Sequence, residues 1–312
     1  MRRLFAVLLA TALVAGCSDG ASNTAENTAA PVSSQSIAPD ASTTTAAMPT
    51  DPLADRPFDV FVPASYDEAN PMPLLVLLHG YTASGDIQEA YFQFEPLAEE
   101  RGFLYVHPDG TTNPVGAQFW NATEACCGFA STVDDSAYLE ALIEKVQDDY
   151  NVDPRRIYFV GHSNGGFMSY RMACDHSDTV AAVASLAGAT FIDPADCGAD
   201  EPVSVVQIHG TADATIAYEG DSILGRAYPA ATATAATWAE LNGCTTDTEV
   251  TSNAFDLVVD LDGAETSRTT YTDCPDGIGV ELWTITDGNH VPARTPDLAT
   301  SIIDFLFAHP KP

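Results

Sequence analysis

The sequence is poor in basic residues. It has 12 lysines and arginines against 44 aspartates and glutamates in 312 residues, so its formal net charge is −32. A surface this negative repels nucleic acids and other anionic polymers, and it favours solubility. No nucleic-acid partner is therefore expected, and the charge gives a weak argument for an uncharged substrate.

The N-terminal region lacks an apolar run long enough to span a bilayer. Residues 4–14 form a short apolar segment behind the basic start Met1-Arg2-Arg3, which is the pattern of a secretory signal. Residues 13–17 read Leu-Val-Ala-Gly-Cys and resemble the bacterial lipobox, in which the cysteine is lipidated and becomes the first mature residue. We interpret residues 1–17 as a lipoprotein signal peptide with lipidation at Cys17; the alternative is an ordinary cleaved signal. By the same resemblance, Ser18 suggests the outer membrane or cell surface, and without lipidation the protein would be periplasmic or extracellular.

Large apolar residues are almost absent from residue 18 to about residue 52, where Ser, Thr, Ala, Asn and Pro dominate. Such a segment buries too little surface to offset its ordering entropy, so residues 18–54 are predicted to be a disordered, low-complexity tether. Its length corresponds to a reach of about 30 Å from the membrane. Residues 55–312 then form one folded domain, which is long enough to bury one large core.

The cysteines lack the spacing of a zinc site, because no pair has the C-x-x-C or C-x-x-H pattern. No metal is expected. Setting Cys17 aside leaves six cysteines that an exported chain can oxidise. Cys244 with Cys274 is the favoured disulfide, since both flank one predicted β excursion, and a second candidate pair is Cys174 with Cys197. The pairing of Cys126 and Cys127 stays open.

Strands alternate with helices along residues 55–312. This alternation predicts an α/β fold with a mostly parallel central sheet and helices on both faces. The predicted strands are 58–62, 73–80, 102–108, 157–160, 181–186, 203–209 and 280–286, with hairpin-like strands in 248–273. The predicted helices are 88–100 (interrupted near Pro96), 135–150, one directly after residue 163, 230–241 and 296–308.

Gly161-His162-Ser163-Asn164-Gly165 lies between a buried strand and a helix. A serine there must hold a strained backbone conformation, and a Cβ at Gly161 or Gly165 would collide with the neighbouring strand and helix. The helix that follows directs free N–H groups and a partial positive charge towards the same point. The pattern therefore predicts a nucleophile elbow with Ser163 at its tip.

Two further reactive side chains follow strands: Asp213 after 203–209 and His290 after 280–286. Parallel sheets bind ligands at the carboxyl ends of their strands, and the order Ser, Asp, His is that of α/β-hydrolases. We therefore predict Ser163 as nucleophile, His290 as general base and Asp213 as the carboxylate that orients it. Asp221 and Asp287 are alternative acids.

The carbonyl oxygen of a substrate would need hydrogen-bond donors. The backbone N–H groups of Asn164 and Tyr81 are the candidates for this oxyanion hole. Residues 109–132 have no periodicity and form a long loop, a kind of segment that is usually functional. In it, Trp120 is a candidate substrate platform or a packing residue, and the side chain of Tyr81 is a second substrate-binding candidate.

Three histidines and one acidic stretch are expected to have structural roles. His79, His162 and His209 are expected to brace loops, with His162 pointing away from the serine hydroxyl. The acidic stretch at 256–265 lacks the full pattern of a calcium loop, so a solvated turn is expected there.

With these residues in view, the chain resembles the secreted polyhydroxybutyrate-depolymerase-like and feruloyl-esterase-like branch of the α/β-hydrolases. The resemblance implies a serine esterase without a cofactor, acting on cinnamoyl or acetyl esters of plant polysaccharide or on short polyesters. One departure concerns residues 287–292, which read Asp-Gly-Asn-His-Val-Pro where relatives often have Gly-Gly-Gly-His-Thr-Trp-Pro. The missing tryptophan leaves the acyl-side pocket open to question. The motifs that carry the resemblance are residues 77–81, 119–121 with Cys126-Cys127 and Asp134-Asp135, 161–166, 209–213, and Gly243-Cys244 with Cys274.

Two other readings compete with an esterase. One is a serine peptidase of the same fold, although the propeller or gating domain typical of such peptidases is not seen in the sequence. The other is a catalytically inactive surface-binding protein. The sequence also shows no separate polymer-binding module, so we expect soluble or oligomeric ester substrates.

Overall fold

A computed structural model describes residues 51–245 and 247–312. The predicted signal peptide with Cys17, and the predicted tether up to residue 50, lie outside the described residues. The described residues all belong to one compact unit, Pro49–Pro312. Within them, no helix is long and apolar enough to cross a membrane.

The chain alternates strands and helices, as predicted. Its strands are β1 (Met72–Leu78), β2 (Leu104–Val106), β3 (Thr111–Thr112), β4 (Gln118–Phe119), β5 (Val152–His162), β6 (Ala182–Leu186), β7 (Ser204–Gly210), β8 (Asp221–Ile223), β9 (Arg226–Tyr228), β10 (Thr248–Phe255), β11 (Thr266–Tyr271) and β12 (Val280–Ile285). Its helices are α1 (Gly85–Phe92), α2 (Phe94–Arg101), α3 (Asp135–Asp149), α4 (Asn164–Asp175), α5 (Ala231–Leu241) and α6 (Pro296–Ala308).

The main sheet has eight strands in the order β10-β11-β12-β7-β6-β5-β1-β2. All neighbours from β12 to β2 are parallel, while β10 and β11 pair antiparallel at one edge. Parallel neighbours put the carboxyl ends of β5, β7 and β12 on one edge of the sheet. The predicted α/β-hydrolase architecture is therefore confirmed.

Two cores cover the two faces of this sheet. In β5, Ile157 and Phe159 face one cluster, and Tyr158 and Val160 face the other, because side chains alternate along a strand. The first cluster contains residues of α3, α4 and α5, and the second contains residues of α1, α2 and α6. Strands covered on both faces read as the continuous apolar runs seen in the sequence.

The prediction of a strand at residues 58–62 is wrong. Within it Phe61 forms an isolated antiparallel bridge to Tyr105, with N–H···O distances of 2.8 and 3.1 Å. Pro57 and Pro63 lack N–H groups on either side, and β2 has three residues, so a longer ladder cannot form. The three alternating apolar residues instead pack against the first of the two cores.

The break in the predicted helix 88–100 also lies elsewhere. Gln93, with φ of 59°, separates α1 from α2. Pro96 lies in the first turn of α2, where its missing N–H leaves no hydrogen bond unmade. Two short hairpins, β3–β4 and β8–β9, were not predicted.

Three disulfides are present among the described residues. Cys244–Cys274 and Cys174–Cys197 confirm the two predicted pairs. Cys126 and Cys127 bond to each other, which resolves the pairing that the sequence left open.

Candidate active site

Ser163 lies at the turn between β5 and α4. Its φ of 54° and ψ of −120° are strained for a residue with a side chain. The turn is tight enough that a Cβ on Gly161 would collide with the Gly165 carbonyl, and one on Gly165 with the Leu78 carbonyl. The Ser163 N–H donates to the Leu186 carbonyl at 2.8 Å, which ties the turn to the adjacent strand β6.

Asp213 and His290 are joined at the carboxyl ends of β7 and β12. The Nδ1 of His290 lies 2.7 Å from Oδ2 of Asp213. Oδ1 of Asp213 accepts from the N–H groups of Thr215 and Ile216 at 2.8 and 2.9 Å, which fixes the carboxylate. Within the described chain, neither alternative acid, Asp221 or Asp287, hydrogen-bonds to His290.

The pKa of Asp213 reflects opposing effects. Burial alone would raise the pKa of this carboxyl group. Hydrogen bonds from His209 and His290, the charge of His290 and the Ile216 N–H outweigh burial, so the pKa lies well below its ordinary value. The carboxylate is therefore ionised at neutral pH and is able to hold the His290 imidazole in one orientation.

Ser163 and His290 line the same pocket, whose volume is about 300 Å³. No hydrogen bond joins their side chains in residues 51–245 and 247–312. Because Asp213 engages Nδ1 of His290, Nε2 is the nitrogen left for a proton from the serine. The pocket is lined, besides these two residues, by Gly80, Tyr81, Ala83, Ile87, Gln88, Tyr91, His162 and Val291.

Two side chains hold the loop that carries His290. Nε2 of His162 lies 2.9 Å from the His290 carbonyl oxygen, and the Tyr91 hydroxyl donates to the Pro292 carbonyl at 2.9 Å. Burial, with the charge of His290, lowers the pKa of His162 to about 4, against the raising effect of that hydrogen bond. His162 is thus a neutral donor that braces the loop, although it also lines the pocket.

The N–H groups of Asn164 and Tyr81 are free in the part of the chain that the structure describes. Asn164 is the first residue of α4, so its N–H has no partner within the helix. Tyr81 follows Gly80, whose own N–H donates to Gln88 at 3.1 Å. Both proposed oxyanion donors thus remain available to a ligand.

The side chain of Asn164 has a role that the sequence analysis missed. It is fully buried, and its Oδ1 accepts from the Trp120 N–H at 2.7 Å while its Nδ2 donates to the Trp120 carbonyl at 2.8 Å. The same Nδ2 lies 3.5 Å from Sγ of Cys126. The Asn164 side chain therefore fixes the loop of residues 109–132 to the turn that carries Ser163.

The interpretation of Trp120 as a substrate platform is wrong. Its side chain is 0% exposed and packs between His79 and Tyr138, at centroid distances of 5.1 and 6.4 Å. The indole fills the core beneath the loop, so a ligand cannot reach it. Tyr81, the other candidate, is 37% exposed and lines the pocket.

His79 and His209 brace loops, as expected. His79 donates from Nδ1 to the Gly80 carbonyl and accepts at Nε2 from Gly110, both at 2.8 Å. Nδ1 of His209 accepts from Gln207 at 3.0 Å, and Nε2 faces the Ile216 carbonyl at 2.8 Å and Asp213 at 3.3 Å. His209 thus also supports the carboxylate of Asp213.

The sheet, the strained serine at a strand-to-helix turn and the histidine–carboxylate pair at neighbouring strand ends define an α/β-hydrolase. Residues 52–256 match the putative esterase family, so the chain belongs to that family.

The chain is similar to two fungal enzymes in sequence. It is 27% identical over 236 residues to feruloyl esterase B of Piromyces equi, covering 73% of this chain and 41% of that enzyme. It is 26% identical over 251 residues to feruloyl esterase D of Neurospora crassa, covering 77% of this chain and 75% of that enzyme. The chain thus spans about two fifths of the Piromyces relative.

The fold is similar to that of an acetyl xylan esterase from Aspergillus awamori. The TM-score is 0.58 at 16% identity, and the match covers 80% of this chain and 93% of that one. At this identity the likeness shows the fold alone.

Proposed function

We propose that the chain hydrolyses carboxylic esters, with Ser163 as nucleophile, His290 as general base and Asp213 as the orienting carboxylate. The observation that carries this proposal is the 2.7 Å contact between His290 and Asp213 in a pocket that Ser163 also lines. Membership of the putative esterase family and similarity to feruloyl esterases support it.

The reaction proceeds in two steps, acylation of the serine and hydrolysis of the acyl-enzyme. The Ser163 Oγ attacks the ester carbonyl carbon while its proton moves to Nε2 of His290, and that proton then leaves with the departing alcohol. A water molecule next loses a proton to Nε2 and attacks the acyl carbon. As the bond from that carbon to the Ser163 Oγ breaks, the proton passes from Nε2 to Oγ, so the carboxylic acid leaves and the serine hydroxyl is restored. Asp213 holds the imidazole throughout and stabilises its cationic form.

The oxyanion formed in each step is bound by the N–H groups of Asn164 and Tyr81. Asn164 contributes its N–H from the first position of α4, where the helix dipole also favours negative charge. The side-chain clamp on Trp120 fixes this N–H before the substrate arrives.

The acyl group of the substrate is uncharged. Among the residues lining the pocket with Ser163, none is an aspartate, glutamate, lysine or arginine, and Ile87, Tyr91 and Val291 make its surface largely apolar. Cinnamoyl and acetyl groups fit this chemistry, and the similarity to feruloyl esterases supports them; a short hydroxyalkanoate is the third candidate. A panel of methyl ferulate, acetylated xylan and hydroxybutyrate oligomers separates these acyl classes.

The test of ester hydrolysis compares wild type with Ser163→Ala on p-nitrophenyl acetate and butyrate, beside a peptide substrate. We expect turnover of the esters, no cleavage of the peptide, and a loss on the order of 10⁴-fold in kcat for Ser163→Ala. Ser222→Ala, which removes an exposed hydroxyl in β8, is the matched control and keeps wild-type rates. Peptide cleavage would favour the peptidase, and absence of any turnover would favour the inactive binding protein.

We also propose that the protein is exported and anchored to the membrane by a lipid on Cys17. The basic start, the short apolar segment and the lipobox-like residues 13–17 support this proposal. Cys17→Ala should release the protein from the membrane fraction in its native host. Unchanged membrane fractionation of that variant would overturn the anchor.

A further inference from the structure

Gln207 is a polar residue at a buried position of the central sheet. It lies in β7 between the apolar residues Val206 and Ile208, and it is 0% exposed. Burying an amide is unfavourable unless its polar groups are hydrogen-bonded. An apolar side chain would meet no such requirement, so burial alone does not explain a glutamine here.

The Gln207 amide has a hydrogen-bond partner for each of its polar groups. The Tyr170 hydroxyl donates to its Oε1 at 2.7 Å, and its Nε2 donates to the Gly188 carbonyl at 2.8 Å. Nε2 also lies 3.0 Å from Nδ1 of His209. The Gly188 carbonyl is only an acceptor, so it selects the amide nitrogen and not the amide oxygen at this place. The second hydrogen of Nε2 is left for Nδ1.

This contact fixes the position of the proton on His209. Nδ1 accepts the N–H of Gln207 and is therefore unprotonated, since a proton on Nδ1 would face the amide hydrogen. The imidazole is then neutral, with its hydrogen on Nε2. Nε2 lies 2.8 Å from the Ile216 carbonyl oxygen and 3.3 Å from Oδ2 of Asp213, and both of these oxygens accept hydrogen bonds.

The His209 ring is enclosed by its neighbours. It is 1% exposed, and the Tyr218 ring packs against it edge to face, with centroids 5.7 Å apart and planes at 80°. A close-packed ring with partners on both nitrogens has no room to exchange them by turning. Its protonation is therefore set by the groups that it touches.

One carboxylate oxygen serves two histidines. Oδ2 of Asp213 lies 2.7 Å from Nδ1 of His290 and 3.3 Å from Nε2 of His209. His290 becomes a cation when it takes the serine proton, and the charge of Asp213 stabilises that state. A second cation at the same oxygen would offset this charge and repel the His290 imidazolium. A neutral N–H donor holds the carboxylate without that repulsion.

We propose that Gln207 is a positioning residue for ester hydrolysis, because it keeps His209 neutral and thereby leaves the full charge of Asp213 to His290. The inference rests on the proposed function of Ser163, Asp213 and His290 and deepens it. Gln207 does not line the Ser163 pocket, so it acts through His209 and not on the substrate. If its amide served only to link β7 to Gly188, the proton of His209 would not depend on it.

The direct test is the ¹⁵N NMR spectrum of the imidazole rings, in which protonated and unprotonated nitrogens have separate chemical shifts. Among the seven histidines, the signals of His209 are those missing from His209→Phe. Wild type at neutral pH should show Nδ1 unprotonated and Nε2 protonated. Gln207→Glu places an acceptor where the amide presents N–H, so Nδ1 should be protonated in that variant. A protonated Nδ1 in wild type, or an unprotonated Nδ1 in Gln207→Glu, would overturn the proposal.

The kinetic test separates kcat from KM. Gln207→Glu should lower kcat on p-nitrophenyl acetate by about tenfold or more, because a cationic His209 opposes the charge that forms on His290. KM should stay at the wild-type value, since the pocket is untouched. Wild-type kcat in a variant whose Nδ1 is protonated would show that the charge of His209 does not affect the site.

Two further variants separate the proton from the packing. Tyr170→Phe removes a hydroxyl from the same buried amide, while the Gly188 carbonyl still selects Nε2, so Nδ1 should stay unprotonated and kcat unchanged. Gln207→Met lacks the N–H and should move the Nδ1 signal of His209 towards the protonated position, also where Gln207→Glu does not fold. An unchanged Nδ1 signal in Gln207→Met, or protonation of Nδ1 in Tyr170→Phe, would contradict the assignment.

The NMR measurement needs no substrate, which keeps this inference distinct from the proposed function. Ester turnover by a wild type whose Nδ1 of His209 is protonated overturns the role of Gln207 and leaves ester hydrolysis standing. Absence of ester turnover overturns the proposed function. The spectra of wild type and Gln207→Glu then still decide whether Gln207 keeps His209 neutral.

Discussion

The side-chain amide of Asn164 hydrogen-bonds to both polar groups of the Trp120 backbone. The Trp120 N–H and carbonyl bond to Oδ1 and Nδ2 of Asn164 at 2.7 and 2.8 Å, across 44 residues of sequence. One end of this contact is the residue next to Ser163, and the other lies in the loop of residues 109–132. The contact therefore ties the proposed oxyanion hole to that loop.

Asn164→Ala should weaken both folding and catalysis. It leaves the buried N–H of Trp120 without a partner, while the Trp120 carbonyl keeps only the Cys127 N–H at 3.4 Å. One unpaired buried group costs about 1–3 kcal/mol, so we expect the free energy of unfolding, measured in urea, to fall by about that amount. We expect kcat on p-nitrophenyl acetate to fall about tenfold or more because an oxyanion donor is displaced. Asn70→Ala, which removes an amide from an exposed turn, is the control and should change neither quantity. Wild-type kcat in a folded Asn164→Ala protein would contradict the proposed oxyanion role.

His162 should make the protein less stable at acid pH. The pKa of its imidazole is about 4 in the folded state and about 6.5 in the unfolded chain. Between these values the unfolded chain binds a proton that the folded protein does not, so this stability is present above pH 6.5 and is lost towards pH 4. From pH 7 to pH 4.5, wild type should lose about 2–3 kcal/mol more than His162→Gln, which donates to His290 without titrating. Parallel urea unfolding curves at both pH values measure the difference, and equal losses would contradict it.

His209 should lower the pKa of Asp213. Its Nε2 lies 3.3 Å from the carboxylate, and it is among the hydrogen-bond donors that offset the effect of burial. His209→Phe removes this donor, so the pKa of Asp213 should rise towards its ordinary value. The ¹³C chemical shift of the Asp213 carboxyl group, followed by NMR during acid titration, reports the change. An unaltered titration in the variant would show that His209 braces the loop without acting on Asp213.

The Cys244–Cys274 disulfide should contribute strongly to stability. It closes a loop of 30 residues, which corresponds to about 3–4 kcal/mol of unfolded-chain entropy. Cys244→Ser with Cys274→Ser should lower the free energy of unfolding by that amount and leave kcat unchanged, because the bond lies away from the Ser163 pocket. The Cys174–Cys197 pair, which spans 23 residues, is the comparison and should give a similar loss. A fall in kcat in a variant that still folds would contradict the conclusion that this disulfide lies away from the Ser163 pocket.

Much of the fold could be predicted because central strands and amphipathic helices have clear sequence patterns. The runs at 74–78 and 157–160 lie in β1 and β5, and the predicted helix 296–308 coincides with α6. The error at 58–62 arose because alternation reports which side chains are buried and not whether a partner strand is present. The β8–β9 hairpin was missed because its turn residues, Leu224 and Gly225, lack the usual Asn-Gly signal.

The site was predictable where it depends on strand ends, and not where it depends on loop folding. Ser163, Asp213 and His290 each follow a strand, so topology alone brings their segments together. The contact between Asn164 and Trp120 depends on how residues 109–132 fold, and that loop has no periodicity. The same lack of pattern left Trp120 open as a substrate platform or a packing residue, and its burial decides for packing.

Labelling with a fluorophosphonate tests the central claim most directly, because this reagent forms a covalent bond with an activated serine. Mass spectrometry of the intact wild-type protein should show one probe per chain, peptide mapping should place it on Ser163, and His290→Ala should remove the labelling. Attachment at another residue, or equal labelling of Ser163→Ala, would contradict the assignment of Ser163 as the nucleophile.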